Sequence, residues 1–113
     1  MDRNTILLAD DLEPIRRLQR RVLERQFPEL KIDEFDNGDS LRNRLEGDVS
    51  SVVLIITDNE MPGINGSEII KTYSQRESLR RIPFILHYGG DEEIGEQAVR
   101  DGAFGYLIKP EHR

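Results

Sequence analysis

Short apolar segments, several of them rich in β-branched residues, alternate along the chain with segments that repeat apolar residues at helical spacing. The short segments have the composition of buried β-strands. Five strands are predicted in this way, at Thr5–Ala9, Leu30–Phe35, Val52–Thr57, Pro83–Tyr88 and Gly105–Ile108.

The segments between these strands predict four helices. The apolar residues that mark the first three are, in order, Ile15, Leu18, Val22 and Phe27; Leu41 and Leu45; and Ile69, Ile70 and Tyr73. Pro14 suits a first helical turn, because proline lacks the N–H group that this turn leaves unpaired. A fourth helix is predicted from Asp91 to Asp101, since acidic residues stand at its start and Gly102 follows its end.

Strict alternation of strands and helices predicts an α/β protein with a doubly wound, five-stranded parallel sheet that helices cover on both faces. In sheets of this kind, ligands bind beyond the carboxyl ends of the strands, where the strand order reverses. A length of 113 residues fits one domain, which we place at residues 1–113.

Composition excludes several classes of protein. The formal net charge of −6 argues against a general affinity for nucleic acid or for an anionic membrane. The chain has no cysteine, so neither a disulfide nor a thiolate metal site can form. The longest apolar run, Val52–Ile56, is too short to span a bilayer, and the N-terminus has no signal-peptide core. These features predict a cytoplasmic protein.

Charged residues follow or end three of the predicted strands. Asp10 and Asp11 follow the first strand, Asp58 ends the third, and Lys109 follows the fifth. Because the carboxyl ends of parallel strands share one edge of the sheet, these side chains are expected to converge there. Mg²⁺ binds through a few carboxylates, and a lysine suits a phosphoryl oxygen. Since aspartate is also a phosphoryl nucleophile, the set predicts phosphoryl-transfer chemistry.

Three motifs, "ILLADD", "TDNEMPGINGSE" and "GAFGYLIKP", occur in this order. With them the chain resembles, over nearly its whole length, the receiver domain of bacterial two-component response regulators. The resemblance implies the flavodoxin-like strand order 2-1-3-4-5. It also implies that Asp58 accepts a phosphoryl group from a sensor histidine kinase or a histidine phosphotransfer protein. The implied role is a signalling switch or relay that assists its own phosphotransfer and dephosphorylation, rather than an enzyme.

The resemblance assigns the remaining roles at the site. It implies that Asp11, Asp58 and the backbone carbonyl of Glu60 bind Mg²⁺ directly, while Asp10 binds it through water. Lys109 would contact a phosphoryl oxygen, and the peptide bond between Lys109 and Pro110 would be cis. Further contacts to the phosphoryl group would come from the backbone of Asn59 and Gly89.

The chain departs from the family at the end of the fourth strand. Receivers usually carry Ser or Thr followed by Ala there, whereas this chain has Tyr88 and Gly89. Tyr106 matches the aromatic switch position of the family. The Tyr88 ring must be housed, and we expect it to be packed rather than catalytic. Two aromatic side chains therefore compete for one cleft, which puts conventional switching in question.

Two other functions stay open at this point. One is a receiver-like protein-binding module that works without phosphorylation, suggested by Tyr88. The other is a Mg²⁺-dependent phosphatase with an aspartyl intermediate, in which Glu60 would serve as the general acid two residues after Asp58. The Met-Pro turn and the paired aspartates favour the receiver over the phosphatase.

Two further expectations concern surfaces. Five arginines on the first helix form a basic patch that could contribute to kinase docking: Arg16, Arg17, Arg20, Arg21 and Arg25. Receivers usually end in a fifth helix, which is predicted to be absent or truncated here. The sheet face beside the first helix would then be open. We predict that this face forms a homodimer, or that it is covered by a helix outside these residues.

Overall fold

The computed structural model describes residues 3–109, in which five strands alternate with four helices. The elements are β1 (Thr5–Ala9), α1 (Glu13–Gln26), β2 (Lys31–Phe35), α2 (Gly38–Leu45), β3 (Val52–Asp58), α3 (Gly66–Tyr73), β4 (Phe84–Tyr88), α4 (Glu92–Arg100) and β5 (Gly105–Ile108). All strands are parallel, in the order β2-β1-β3-β4-β5, and helices cover both faces of the sheet. The predicted fold class and strand order are confirmed.

The strands differ from their predicted bounds by one residue in three places. Leu30 precedes β2, because its N–H group donates to the carbonyl of Phe27 in a turn. Pro83 lies outside β4, although its carbonyl still accepts a hydrogen bond from β3. In the opposite direction, β3 extends to Asp58, which pairs with His87.

The sheet separates two apolar cores. On one side, alternate residues of β1 such as Leu7 and Ala9 pack with residues of α2, α3 and α4 in the larger core. On the other side, Ile6 and Leu8 pack with Ile56 and, less deeply, with Leu23 of α1. The period-2 alternation of a β-strand thus supplies both cores from the same short segment.

Helix α1 lies on the less covered side of the sheet. None of its residues is buried, and Leu18 and Val22 expose 62% and 56% of their surface. In β5, Leu107 and Ile108 are likewise exposed, by 55% and 50%. Leu18, Val22 and Leu107 line an apolar groove, which we call the α1–β5 groove. The open face predicted from the sequence is therefore seen among the described residues.

None of the four helices in this part of the chain is long and apolar enough to cross a membrane.

The loop that follows Asp58 is held down by the start of α3. The N–H group of Gly66 donates to the carbonyl of Asn59 at 2.9 Å, and Asn59 Oδ1 accepts from the N–H group of Ser67 at 2.9 Å. A Cβ atom at Gly66 would lie 2.2 Å from the carbonyl oxygen of Asp58. Only glycine permits this approach, so Gly66 fixes where the end of β3 stands relative to α3.

We expect Gly66→Ala to lower the free energy of unfolding by about 2–3 kcal/mol, because the added methyl group would collide with backbone that cannot swing away. Urea denaturation would measure the loss. Gly47→Ala is the matched control, since its Cβ would meet Arg44 O at an ordinary 3.6 Å. Equal stability of the two variants would show that the close approach at Gly66 can relax.

Self-association through the α1–β5 groove stays a prediction. We expect the sedimentation coefficient of the chain to rise with concentration, because exposed apolar surface of this kind favours burial. Replacing Leu18 and Leu107 by Glu should abolish the rise. The control is Val99→Glu, which adds a charge at an exposed apolar residue of α4. A wild-type chain that stays monomeric at every concentration would contradict the prediction.

Candidate functional site

Two buried carboxylates and one lysine meet at the carboxyl edge of the sheet. Asp10 follows β1 and is fully buried, and Asp58 ends β3 with 6% of its surface exposed. Lys109 follows β5, and its Nζ atom lies 2.9 Å from Asp10 Oδ2 and 3.1 Å from Asp58 Oδ2. The ammonium group therefore bridges both acids, and the convergence predicted from the strand ends is found.

Local backbone contacts aim the two carboxylates at the lysine. Oδ1 of Asp10 accepts the N–H group of Leu12 at 2.9 Å, and Oδ1 of Asp58 accepts the N–H group of Asn59 at 2.8 Å. The carbonyl of Asp10 also accepts a hydrogen bond from Arg16 at 2.7 Å. Each acid thus uses one oxygen to order its own loop and presents the other, Oδ2, to Lys109.

The pKa values at the site reflect burial and crowding of like charges. Burial raises the pKa of Asp58. Lys109 and the N–H group of Asn59 lower it, the charge of Asp10 raises it, and the net value lies above the ordinary one. Burial lowers the pKa of Lys109, but hydrogen bonds and attraction from Asp10 and Asp58 outweigh it and leave that pKa raised. Lys109 therefore stays charged between the two acids. Ionisation of Asp58 is less favourable than that of an ordinary aspartate.

The acids fit a hard divalent cation. One ligand oxygen from each of Asp10, Asp11 and Asp58 can be chosen so that all three lie within 4.8 Å of one another. Among the described residues, the buried Oδ2 of Asp10 has Lys109 Nζ at 2.9 Å as its close partner and accepts no other hydrogen bond. Three carboxylates against one ammonium leave an excess of negative charge. Mg²⁺ suits such a site, because it binds oxygen ligands and retains several waters.

A cleft of about 510 Å³ opens beside these acids. Of the residues predicted for the site, the following line it: Asp11, Asp58, Glu60, Tyr88, Gly89 and Lys109. Glu60 and Gly89 are exposed at its rim, whereas the N–H group of Asn59 is directed at Asp58 Oδ1. The predicted cis bond before Pro110 lies outside the described residues.

The Tyr88 side chain is packed, as expected, and is almost fully buried. It exposes 1% of its surface, and its hydroxyl accepts the N–H group of Gly95 in α4 at 3.0 Å. Tyr106 is half-buried beside it, with ring centroids 6.1 Å apart, and its hydroxyl lies 3.4 Å from Oε1 of Glu92. The two rings stand side by side. Sequence reasoning missed Gly95, although a glycine inside a predicted helix was a signal that something packs closely there.

Comparison with known proteins places the chain in a family. The family model for the response regulator receiver domain matches residues 6–113. Chemotaxis protein CheY1 of Helicobacter pylori is 30% identical over 107 residues, which cover 93% of this chain and 84% of that protein. The chain belongs to the response regulator receiver family, as its resemblance to receivers implied.

Two further relatives extend the comparison. The cyclic di-GMP phosphodiesterase response regulator RpfG of Xanthomonas campestris pv. campestris is 36% identical over 106 residues, but the chain spans only 28% of that protein. The Mn²⁺-bound form of response regulator Rcp1 superposes with a TM-score of 0.84 at 23% identity, covering 96% of this chain and 83% of that one. The similarity to Rcp1 shows the shared fold alone. Receiver domains bind Mg²⁺ at an acidic pocket, with which the three aspartates described above are compatible.

In EDTA, Asp58→Asn should raise the melting temperature by about 2–5 °C. The sign follows from the raised pKa of Asp58, because an ionised carboxylate with a raised folded-state pKa destabilises the fold at neutral pH. The gain should vanish below pH ~3.9, where the carboxyl is protonated in both states. Thermal unfolding followed by circular dichroism would measure both effects.

Mg²⁺ should make the wild type more stable to heat than Asp58→Asn, the reverse of their order in EDTA. A tenfold excess of Mg²⁺ over its Kd adds about 1.4 kcal/mol to the stability of the wild type, and Asp58→Asn should gain far less. The control is Asp33→Asn, which changes an aspartate on β2 and should respond as the wild type does. A wild type indifferent to Mg²⁺ would contradict the metal site.

Proposed function

We propose that this chain is a phosphoacceptor receiver, in which Asp58 takes a phosphoryl group with the help of Mg²⁺. The observation that carries the proposal is the Lys109 ammonium held between the buried carboxylates of Asp10 and Asp58. A lysine so placed has a positive charge ready for a phosphoryl oxygen bound at Asp58. Membership of the receiver family supports the same role. The proposed domain comprises residues 1–113.

The proposed reaction is transfer from a phosphohistidine. An oxygen of Asp58 attacks phosphorus, the new O–P bond forms as the P–N bond breaks, and the electron pair stays on the imidazole nitrogen. Lys109 then contacts a phosphoryl oxygen, with Gly89 at the rim of the cleft as a backbone donor. Asp11, Asp58, the carbonyl of Glu60 and, through water, Asp10 would hold Mg²⁺, which would neutralise charge on the phosphoryl oxygens.

The partner we propose is a sensor histidine kinase or a histidine phosphotransfer protein. In the basic patch on α1, Arg16 and Arg20 form ion pairs with Glu34, and Arg17 forms one with Glu13. Such pairing leaves less charge free for a partner. The remaining two arginines, Arg21 and Arg25, are exposed and have no ion pair among the described residues. They are the candidates for a docking contribution. The cytoplasmic location stays a prediction from the sequence.

A phosphorylation-independent binding module is the second candidate function. The observation that favours it is the burial of Tyr88, whose hydroxyl is engaged by Gly95 of α4. A side chain fixed in this way cannot contact a phosphoryl group as a small hydroxyl residue would. This candidate predicts partner binding of the same strength with and without Asp58.

Incubation with Mg²⁺ and acetyl phosphate should add one phosphoryl group to the wild-type chain, as read by intact mass. Asp58→Asn should remove the adduct, because no other described residue in the cleft combines a carboxylate with the Lys109 contact and the Asn59 N–H group. Lys109→Gln should slow its formation by roughly 10²-fold, a loss typical of removing one group that stabilises transition-state charge. EDTA should prevent it.

Asp33→Asn is again the control and should accept the phosphoryl group at the wild-type rate. A wild type that forms no adduct would favour the binding module. An adduct that survives in Asp58→Asn would place the acceptor elsewhere. Repeated turnover of an unrelated phosphomonoester, lost in Glu60→Gln, would instead support the phosphatase.

A further inference from the structure

The space between β4, β5 and α4 is filled by two tyrosine rings that meet at one glycine. Tyr88 is the last residue of β4, Tyr106 lies in β5, and Gly95 is buried in α4. A Cβ atom on Gly95 would lie 2.4 Å from the ring of Tyr106 and 2.7 Å from the hydroxyl oxygen of Tyr88. Neither distance is compatible with a side chain. Gly95 therefore makes room for both rings at once.

A hydrogen bond joins helix α4 to strand β4. The N–H group of Gly95 donates to the Tyr88 hydroxyl at 3.0 Å, in a buried setting. The carbonyl of Asp91, the helical acceptor four residues earlier, accepts from Ile94 at 3.0 Å. A buried hydrogen bond of this kind is expensive to break, because the donor would be left without water. Tyr88 thus tethers the first turns of α4 to the sheet.

The same tyrosine borders the acidic site. Its carbonyl accepts the N–H group of Lys109, and the next residue, Gly89, lines the cleft beside Asp58. The backbone of Tyr88 therefore lies at the carboxyl edge of the sheet, while its ring packs beneath α4. Any movement of α4 must move this ring or break its bond to Gly95.

Tyr106 is held on the outer side of Tyr88. Its ring is half-buried and tilted by 52° to the Tyr88 ring, and its hydroxyl lies 3.4 Å from Glu92. Protein interiors are packed to nearly crystalline density, so two rings cannot share one site. Because Tyr88 fills the inner position, Tyr106 has no room to turn inward.

We propose that Tyr88, Gly95 and Tyr106 form an aromatic wedge that fixes the surface made by α4 and β5 in one conformation. The wedge exists without phosphorylation. The proposal has a second clause, which rests on the proposed function: phosphorylation of Asp58 leaves this surface unchanged. A partner that binds α4 and β5 would then bind both forms alike, and the phosphoryl group would be sensed near the cleft itself.

The wedge itself can be tested by Gly95→Ala without any phosphorylation. Alanine in place of glycine in an open helix raises the folding equilibrium constant by about fivefold. Here we expect the opposite sign, a fall of about tenfold or more in urea denaturation, because both rings obstruct the methyl group. In a Tyr88→Thr background Tyr106 gains room, so the same change should lose most of its effect. A stabilising Gly95→Ala in the wild-type background would overturn the wedge.

Tyr88→Phe separates the ring from its hydroxyl. The ring should keep Tyr106 in place, while the amide resonance of Gly95 should shift more than any other outside residues 87–89, since it loses its acceptor. An unshifted Gly95 amide would overturn the tether. Tyr106→Phe, which keeps its ring, is the control and should leave that amide near its wild-type position.

The second clause is tested by amide resonances before and after treatment with Mg²⁺ and acetyl phosphate, with intact mass proving the adduct. In the phosphorylated wild type, Asn59 and Gly89 should shift while residues 92–97 and Tyr106 stay within experimental error. In phosphorylated Tyr88→Thr, residues 92–97 should shift as well. Equal shifts of α4 in the two proteins would overturn the clause. Absence of an adduct would defeat the proposed function, and the wedge would still be decided by Gly95→Ala.

Discussion

The contact between the Lys109 ammonium and the carboxylates of Asp10 and Asp58 is the constraint on which the site depends. A buried carboxylate without a partner is strongly disfavoured, and here two of them lie side by side. One lysine reaches both, at 2.9 and 3.1 Å, but its single charge cannot balance two acids and the nearby Asp11. The residual negative charge is what makes the edge of the sheet receptive to a cation.

This arrangement follows from the parallel sheet. β1 and β3 are neighbours, so the residues at their carboxyl ends are brought together although they lie far apart in sequence. Lys109 directly follows β5, two strands beyond β3, and its long side chain crosses the end of β4 to reach the acids. Closer adjustment comes from the loops, where the backbone N–H groups of Leu12 and Asn59 turn each carboxylate.

Much of this could be predicted from sequence, because it depends on patterns that are local. Alternating apolar segments predicted five strands and four helices, and parallel topology then predicted that Asp10, Asp58 and Lys109 converge. Other features depend on three-dimensional geometry that the spacing of residues along the chain does not reveal. The direction of the Tyr88 ring is set by Gly95, which has no Cβ to obstruct it. The use of the Asn59 N–H group by Asp58 depends on loop geometry that no spacing of residues reveals.

Two glycines allow helices to pack closely against the elements beside the site. Gly66 lets α3 approach the carbonyl of Asp58, and Gly95 lets α4 approach the rings of Tyr88 and Tyr106. Both are buried in helices, where glycine is less favourable than alanine by up to about 1 kcal/mol, so close packing must offset that loss. The first glycine fixes the acid, and the second fixes the helix beside it. The exposed Gly89, by contrast, has only Lys109 Cβ near its own missing Cβ, at 3.9 Å. Freedom for the backbone to adjust beside the cleft therefore lies in the short segment between β4 and α4.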